Sequence, residues 1–133
     1  MMDKSKKILT EISAGELLDK ISILEIKLDK IKDKESLTEI NKEYESLKKT
    51  KNSYLKITKD VQNLIDQLKE INIKLWTIED GKRVCEKNKD FGKKFIELSR
   101  NVYLNNDKRA KIKSEINKLL GSNIKEIKQY AGY

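Results

Sequence analysis

Apolar residues in this chain recur at helical intervals, and no stretch alternates as a strand would. Leu17, Ile21, Leu24, Leu28 and Ile31 repeat at four, three, four and three, a seam that needs a partner helix. Ser13 and Glu16 read as a capping box ahead of it, so the spacing predicts a first helix over 14–33. Ile23 and Ile26 lie on its far side and predict cover on two faces, in the middle of a bundle or at a dimer contact. Ser36 and Glu39 repeat the capping signature before Leu37, Ile40, Tyr44 and Leu47. The polar run 48–53 predicts the end of this second helix. One bent, continuous helix is the alternative, because the apolar phase resumes nearly in step at Tyr54 and Val61. A third helix is expected over 54–87, with Gly81 loosening it or admitting a close neighbour. Asp90 is the expected N-cap of a last long helix over 91–120, which Gly121 stops. The ends read as a flexible basic lead, 1–12, and a short helical tail, 122–133, packed back on the body. The expectation is an all-α fold, a single domain with three or four long antiparallel helices in a bundle.

Two of these stripes begin apolar and turn polar without leaving their face. Val61, Leu64, Leu68 and Leu75 set one phase, and Asn72, Trp76, Glu79 and Arg83 follow at four, three and four. Phe95, Leu98 and Val102 set another, which runs into Asn106, Arg109 and Lys113 at four, three and four before Ile116 and Leu119. Helical geometry puts such residues on one side. An inward charge costs several kcal/mol, roughly, unless another group or a ligand answers it. An antiparallel hairpin centred near Lys89 sets Asn72 opposite Asn106 with Arg109 one turn further along. Glu16, Lys20 and Lys27 flank the seam of the first helix and supply a third wall. The expected pocket therefore consists of Glu16, Lys20, Lys27, Asn72, Trp76, Glu79, Arg83, Asn106, Arg109 and Lys113. Its inward cations, Lys20, Arg83, Arg109 and Lys113, face chiefly Glu16 and Glu79, an imbalance that an anionic ligand relieves. A buried ion-pair and amide network that fixes helix register is the competing structural reading.

Composition narrows the classes. Of 133 residues 39% are charged and only 37% hydrophobic, and proline is absent, a balance suited to solvated helices with narrow apolar stripes. The net charge of +8 comes almost wholly from lysine, with Arg83, Arg100 and Arg109 the only arginines. Basic and acidic residues interleave along every helix, which disfavours a nucleic-acid footprint. Cys85 is the single cysteine and histidine is absent, so an internal disulfide is impossible and a zinc site nearly so. No cofactor is expected, although magnesium on Glu16, Asp19, Glu79, Asp80 or Asp107 is open if the protein is an enzyme. With no apolar run of membrane-spanning length and no signal-peptide core in 1–8, the expected location is the cytoplasm of a bacterial or infected host cell.

The run 15–27, GELLDKISILEIK, together with Leu75-Trp76-Thr77-Ile78-Glu79-Asp80 and Arg83, resembles a family of small uncharacterised helical proteins from bacteria and phages. The stretch from Tyr103 to Arg109, then Lys113 and Asn117, matches it too, so the likeness extends from about Glu11 to Tyr130. That resemblance implies a helical fold and a shared polar set but carries no mechanism. The expected function is binding of a phosphate-bearing small molecule, a nucleotide or nucleotide sugar, with sequestration in a phage context as its setting, by a protein that forms a homodimer. The flat face of Trp76 suits a base or sugar. Two alternatives stand beside it: a metal-assisted nucleotide or sugar-phosphate hydrolase or transferase, and a helical interaction module without a pocket. Binding is favoured over catalysis because Cys85, Ser22 and Tyr103 have no histidine to activate them and the glycines form no phosphate loop.

Overall fold

The computed structural model describes residues 6–132, and these contain four helices and no strand. They are α1 (Ala14–Lys30), α2 (Lys34–Tyr54), α3 (Lys59–Lys87) and α4 (Lys93–Leu120). The all-α expectation holds. The boundaries shift for local reasons. Ser13 caps α1 by accepting the Glu16 amide, as the capping signature predicts, but the helix ends three residues early, at Lys30. Asp33, not Ser36, caps α2: its carboxylate accepts the Ser36 amide at 2.9 Å. α2 runs through the polar stretch 48–53 and stops at Tyr54, so the break falls at 55–58, where Thr58 caps α3. Polar residues alone do not end a helix that lacks glycine or proline. Asp90 bonds the Gly92 amide instead of capping α4, which starts at Lys93. Gly121 takes the left-handed conformation, φ 61°, and closes α4 as expected.

α3 and α4 form a long antiparallel hairpin about the turn at 88–92, where Gly81 admits the Leu98 side chain to close contact. α1 packs on both helices near the open end of this hairpin. Ala14 and Leu18 there join Val61, Leu64, Leu68, Ile112 and Ile116 in the core. Leu68 and Ile116 are fully buried, each contributing about 1.5–3 kcal/mol by removing its side chain from water. α2 touches α1 alone and buries no residue fully. Its half-buried Leu37, Ile40, Tyr44 and Leu47 lie on the apolar stripe, and the Tyr44 hydroxyl donates to Glu25.

The second apolar face of α1, expected at a dimer contact, is covered within the chain. Ile26 is 3% exposed and Ile23 half-buried. Residues 6–12 are exposed and non-helical, while 1–5 lie outside the described residues. The tail forms no helix; 122–132 runs in irregular conformation against α4. No described helix is long and apolar enough to cross a membrane.

Candidate functional site: a buried carboxylate behind an arginine

The N-terminus of α1 is stitched to the C-terminal end of α4. Asn117 Oδ1 accepts the Gly15 amide at 2.7 Å and Ser122 Oγ accepts the Ala14 amide at 3.1 Å. With Ser13 on Glu16, three amides that a helix start leaves unpaired thus find side-chain acceptors. The approach is possible because residue 15 is glycine. A Cβ there would lie 2.6 Å from the Lys113 carbonyl oxygen.

One turn along, Asp19 points into the space between α1, α3 and α4 and is 1% exposed. Arg109 grips its carboxylate with two donors, Nε to Oδ1 at 3.0 Å and one NH2 hydrogen to Oδ2 at 2.5 Å. Asn72 Nδ2 donates to Oδ1 at 2.8 Å and to the Ser22 hydroxyl at 3.4 Å. Lys113 Nζ lies 3.4 Å from Asp19, 2.7 Å from Glu16 and 3.6 Å from Glu126. Burial pushes the Asp19 carboxyl up, but the hydrogen bonds from Arg109 and Asn72 and the charges of Arg109 and Lys113 together outweigh it. The group stays below the ordinary carboxylate range. Burial likewise disfavours the Lys113 ammonium, and Glu16, Asp19 and Glu126 overcome it, holding the group above the ordinary lysine value.

The predicted residues divide. Glu16, Asn72, Asn106, Arg109 and Lys113 meet around Asp19, with Asn106 Oδ1 accepting from Arg109 NH1 at 3.3 Å. Lys20 is exposed, its ammonium 3.9 Å from Glu16 at the rim. Lys27, Trp76 and Glu79 are half-buried and Arg83 is exposed. The last three follow Asn72 along α3 toward the 88–92 turn, away from α1, and make no bond to the cluster. The anticipated surplus of inward cations is therefore corrected: Lys20 and Arg83 reach water, and Arg109 and Lys113 are answered by Asp19 and Glu16.

Sequence pattern marks Asp19 only as a possible metal ligand and gives Ser22, Gly15, Asn117 and Glu126 no place in the pocket. A signal existed for part of this set. Gly15, Asp19, Ser22 and Ile26 follow one another at four, three and four, the same rhythm as the polar stripes of α3 and α4, and all four are buried.

The open space adjoining this cluster is a cleft of about 1080 Å³ between α4 and the tail. Asn106, Arg109, Lys113 and Asn117 line it from α4, and Glu126 and Tyr130 from the tail. Of the ten predicted site residues, Asn106, Arg109 and Lys113 face it. A guanidinium carries five N–H donors. Three act on Asp19 and Asn106, and the rest have no acceptor among the described residues, while the side chain keeps 27% exposure at the cleft wall. No group of three or more Asp, Glu or Cys side chains suited to a metal ion occurs among the described residues. The carboxylates that do converge enclose an ammonium.

No curated protein and no solved structure shows significant similarity to this chain. A family comparison does match, over residues 8–133, and so covers α1, the whole Asp19 cluster and the tail. The chain belongs to DUF6165, a family of unknown function.

Proposed function

We propose that the protein binds a phosphate-bearing small molecule, such as a nucleotide or nucleotide sugar, in the cleft between α4 and the tail. The observation that carries this reading is the two-sided use of Arg109. Its inner edge is fixed by a fully buried carboxylate, and the same side chain, 27% exposed, lines the cleft beside Asn106 and Lys113. A planar fork held from behind has already lost its rotamer freedom, so it takes a phosphate oxygen pair at a reduced entropic cost. The cleft, at about 1080 Å³, slightly exceeds the size usual for small-molecule sites, about 300–1,000 Å³. Tyr130, which lines it, offers the flat ring in place of Trp76.

Binding without turnover is favoured. Asp19, held below the ordinary carboxylate range and saturated with donors, is a poor general base. Metal-assisted hydrolysis through Glu16, Asp19, Glu79 and Asp80 is disfavoured, because these carboxylates form no common metal-binding group among the described residues and the Lys113 and Arg109 partners of Glu16 and Asp19 repel a cation.

The test is thermal stabilisation and calorimetric titration with inorganic pyrophosphate, ADP and UDP-glucose, each up to millimolar concentration. Saturable one-to-one binding is expected, and Arg109→Lys should weaken it at least tenfold while circular dichroism keeps the helix signal. A wild-type protein indifferent to all three ligands overturns the proposal.

A second reading rests on the far half of the hairpin, where only α3 and α4 pack together. Ile73, Val84 and Ile96 are 41%, 51% and 54% exposed there. A second copy laid against this face would make a four-helix arrangement and would supply the homodimer expected from sequence through a different surface. Sedimentation equilibrium of wild type and Ile96→Lys tests it: a dimer that the substitution dissolves supports it, and a wild-type monomer at 100 μM rejects it.

A further inference from the structure

Glu126 stands where an incoming phosphate would have to be. Its carboxylate is 3.6 Å from Lys113 Nζ, on the cleft side, and its side chain is 66% exposed, whereas Asp19 and Glu16 hold the same ammonium from within. Asp19 and Glu16 already answer Arg109 and Lys113, so Glu126 is a third carboxylate on Lys113, and it is the one that comes from the tail. The segment that carries Glu126 is held in two different ways. At its root, Ser122 caps the Ala14 amide and Asn123 donates to Glu11. Beyond that, the ion pairs Glu126 with Lys113 and Lys128 with Asp107 hold it. Ile127 and Tyr130 remain 83% and 81% exposed, so they bury little against the body. Both pairs keep contact with water, Glu126 at 66% exposure and Lys128 and Asp107 at 30% and 34%, so salt loosens them.

We propose that the tail beyond Asn123 is a built-in competitor for the anion site: Glu126 fills the phosphate subsite at Lys113, and a ligand phosphate displaces it and releases the strap. This rests on the binding reading above and adds its regulation. The bound phosphate replaces one carboxylate by a group of equal or greater negative charge, so the exchange leaves Lys113 matched throughout. The free strap is a state that a partner or a protease can read, and its population rises when the site is filled.

The experiment compares wild type, Glu126→Gln and Glu115→Gln, the last an exposed α4 residue whose loss gives the same change in net charge. Inorganic pyrophosphate is the probe. Removing a competitor that closes the site with an exposed pair should tighten binding by about two- to sixfold in Glu126→Gln. Glu115→Gln should leave the affinity within about 1.5-fold, the change expected of a distant screened charge. Tryptic cleavage after Lys125 and Lys128 should accelerate when pyrophosphate saturates the wild type. Binding by the wild type that is lost in Arg109→Lys, with Glu126→Gln equal to Glu115→Gln and cleavage unchanged, overturns the strap while leaving the binding reading intact. Absence of binding in all three proteins overturns both.

Discussion

Replacing Asp19 with asparagine changes one oxygen into an amide nitrogen and asks whether the cluster is held by shape or by charge. In the wild type the two carboxylate oxygens receive Arg109 Nε and NH2, Asn72 Nδ2 and the Lys113 ammonium. An asparagine offers one acceptor to the same donors and turns an NH2 toward at least one of them. Removing one partner of a buried ion pair typically costs about 3–5 kcal/mol. Two features move Asp19→Asn to the low end: the Arg109 side chain is 27% exposed and regains some water, and Lys113 keeps Glu16 at 2.7 Å. The expected loss is about 3 kcal/mol, which for a chain of this size lowers Tm by roughly 10 °C.

The pH dependence separates charge from packing. Because the folded pKa of Asp19 lies below its ordinary 3.8, the folded state binds fewer protons than the unfolded state around that value. The stabilisation is therefore complete above pH 3.8 and is lost as the pH falls from there through the folded pKa. Urea unfolding followed by far-ultraviolet circular dichroism at pH 7 and at steps down to 2.5 should show the wild-type advantage over Asp19→Asn narrowing below 4. An advantage under about 0.5 kcal/mol at pH 7, or one of several kcal/mol that does not change with pH, refutes the electrostatic account of this site.

Two glycine substitutions should behave in opposite ways. Gly15→Ala drives a methyl to 2.6 Å from the Lys113 carbonyl and 2.9 Å from Asn117 Oδ1, and backbone cannot yield as a side chain can. It should destabilise by about 2–4 kcal/mol in urea melts, from overpacking and the disrupted amide bond to Asn117. Gly81→Ala meets only the Leu98 methyl at 3.2 Å, a half-buried side chain free to shift a few tenths of an ångström. Relief of the helix penalty on glycine should then leave the protein unchanged or more stable by up to about 1 kcal/mol.

The helices were legible because each carries a stripe at helical period and at least one cap, and α1 shows both in full. The ends were less so, since Asp33 and Ser36 are equally good capping residues and only the path of the chain selects between them. The hairpin register was legible from the short connection near Lys89, which set Asn72 opposite Asn106 with Arg109 one turn further along; Asn72 and Arg109 both meet on Asp19. Charge balance was not legible. Periodicity places Arg83 on the same stripe as Asn72, but α1 covers only the half of α3 nearer its start, so the far turns of that stripe meet water. Asp19 sits beside a strong leucine seam, where a carboxylate reads as flank, so its pattern alone does not mark it as the centre of the cluster. Tail contacts such as Glu126 on Lys113 depend on an irregular backbone and leave no periodic trace.

A buried ion pair is weak ground for stability, and that bears on why this cluster exists. Desolvating Asp19, Arg109 and Lys113 costs several kcal/mol per ion, roughly, and apolar side chains of like volume often fill such space at equal or better stability. The quadruple substitution Asp19→Leu, Asn72→Leu, Arg109→Met and Lys113→Met keeps approximate volume and leaves no buried member charged. Leu68 on α3 and Ile112 and Ile116 on α4 already supply apolar surroundings about one turn away along the chain. If the network serves a ligand, the variant should match or exceed the wild type by about 1–4 kcal/mol in urea unfolding while losing pyrophosphate binding. If it serves the fold, the variant should fall by several kcal/mol or broaden its unfolding transition, because the two-pronged Arg109 grip then fixes the crossing of α1 over the hairpin. The first outcome is expected, since α1 is also registered by Gly15 on Asn117 and by Leu18 in the core, and neither contact needs the charges.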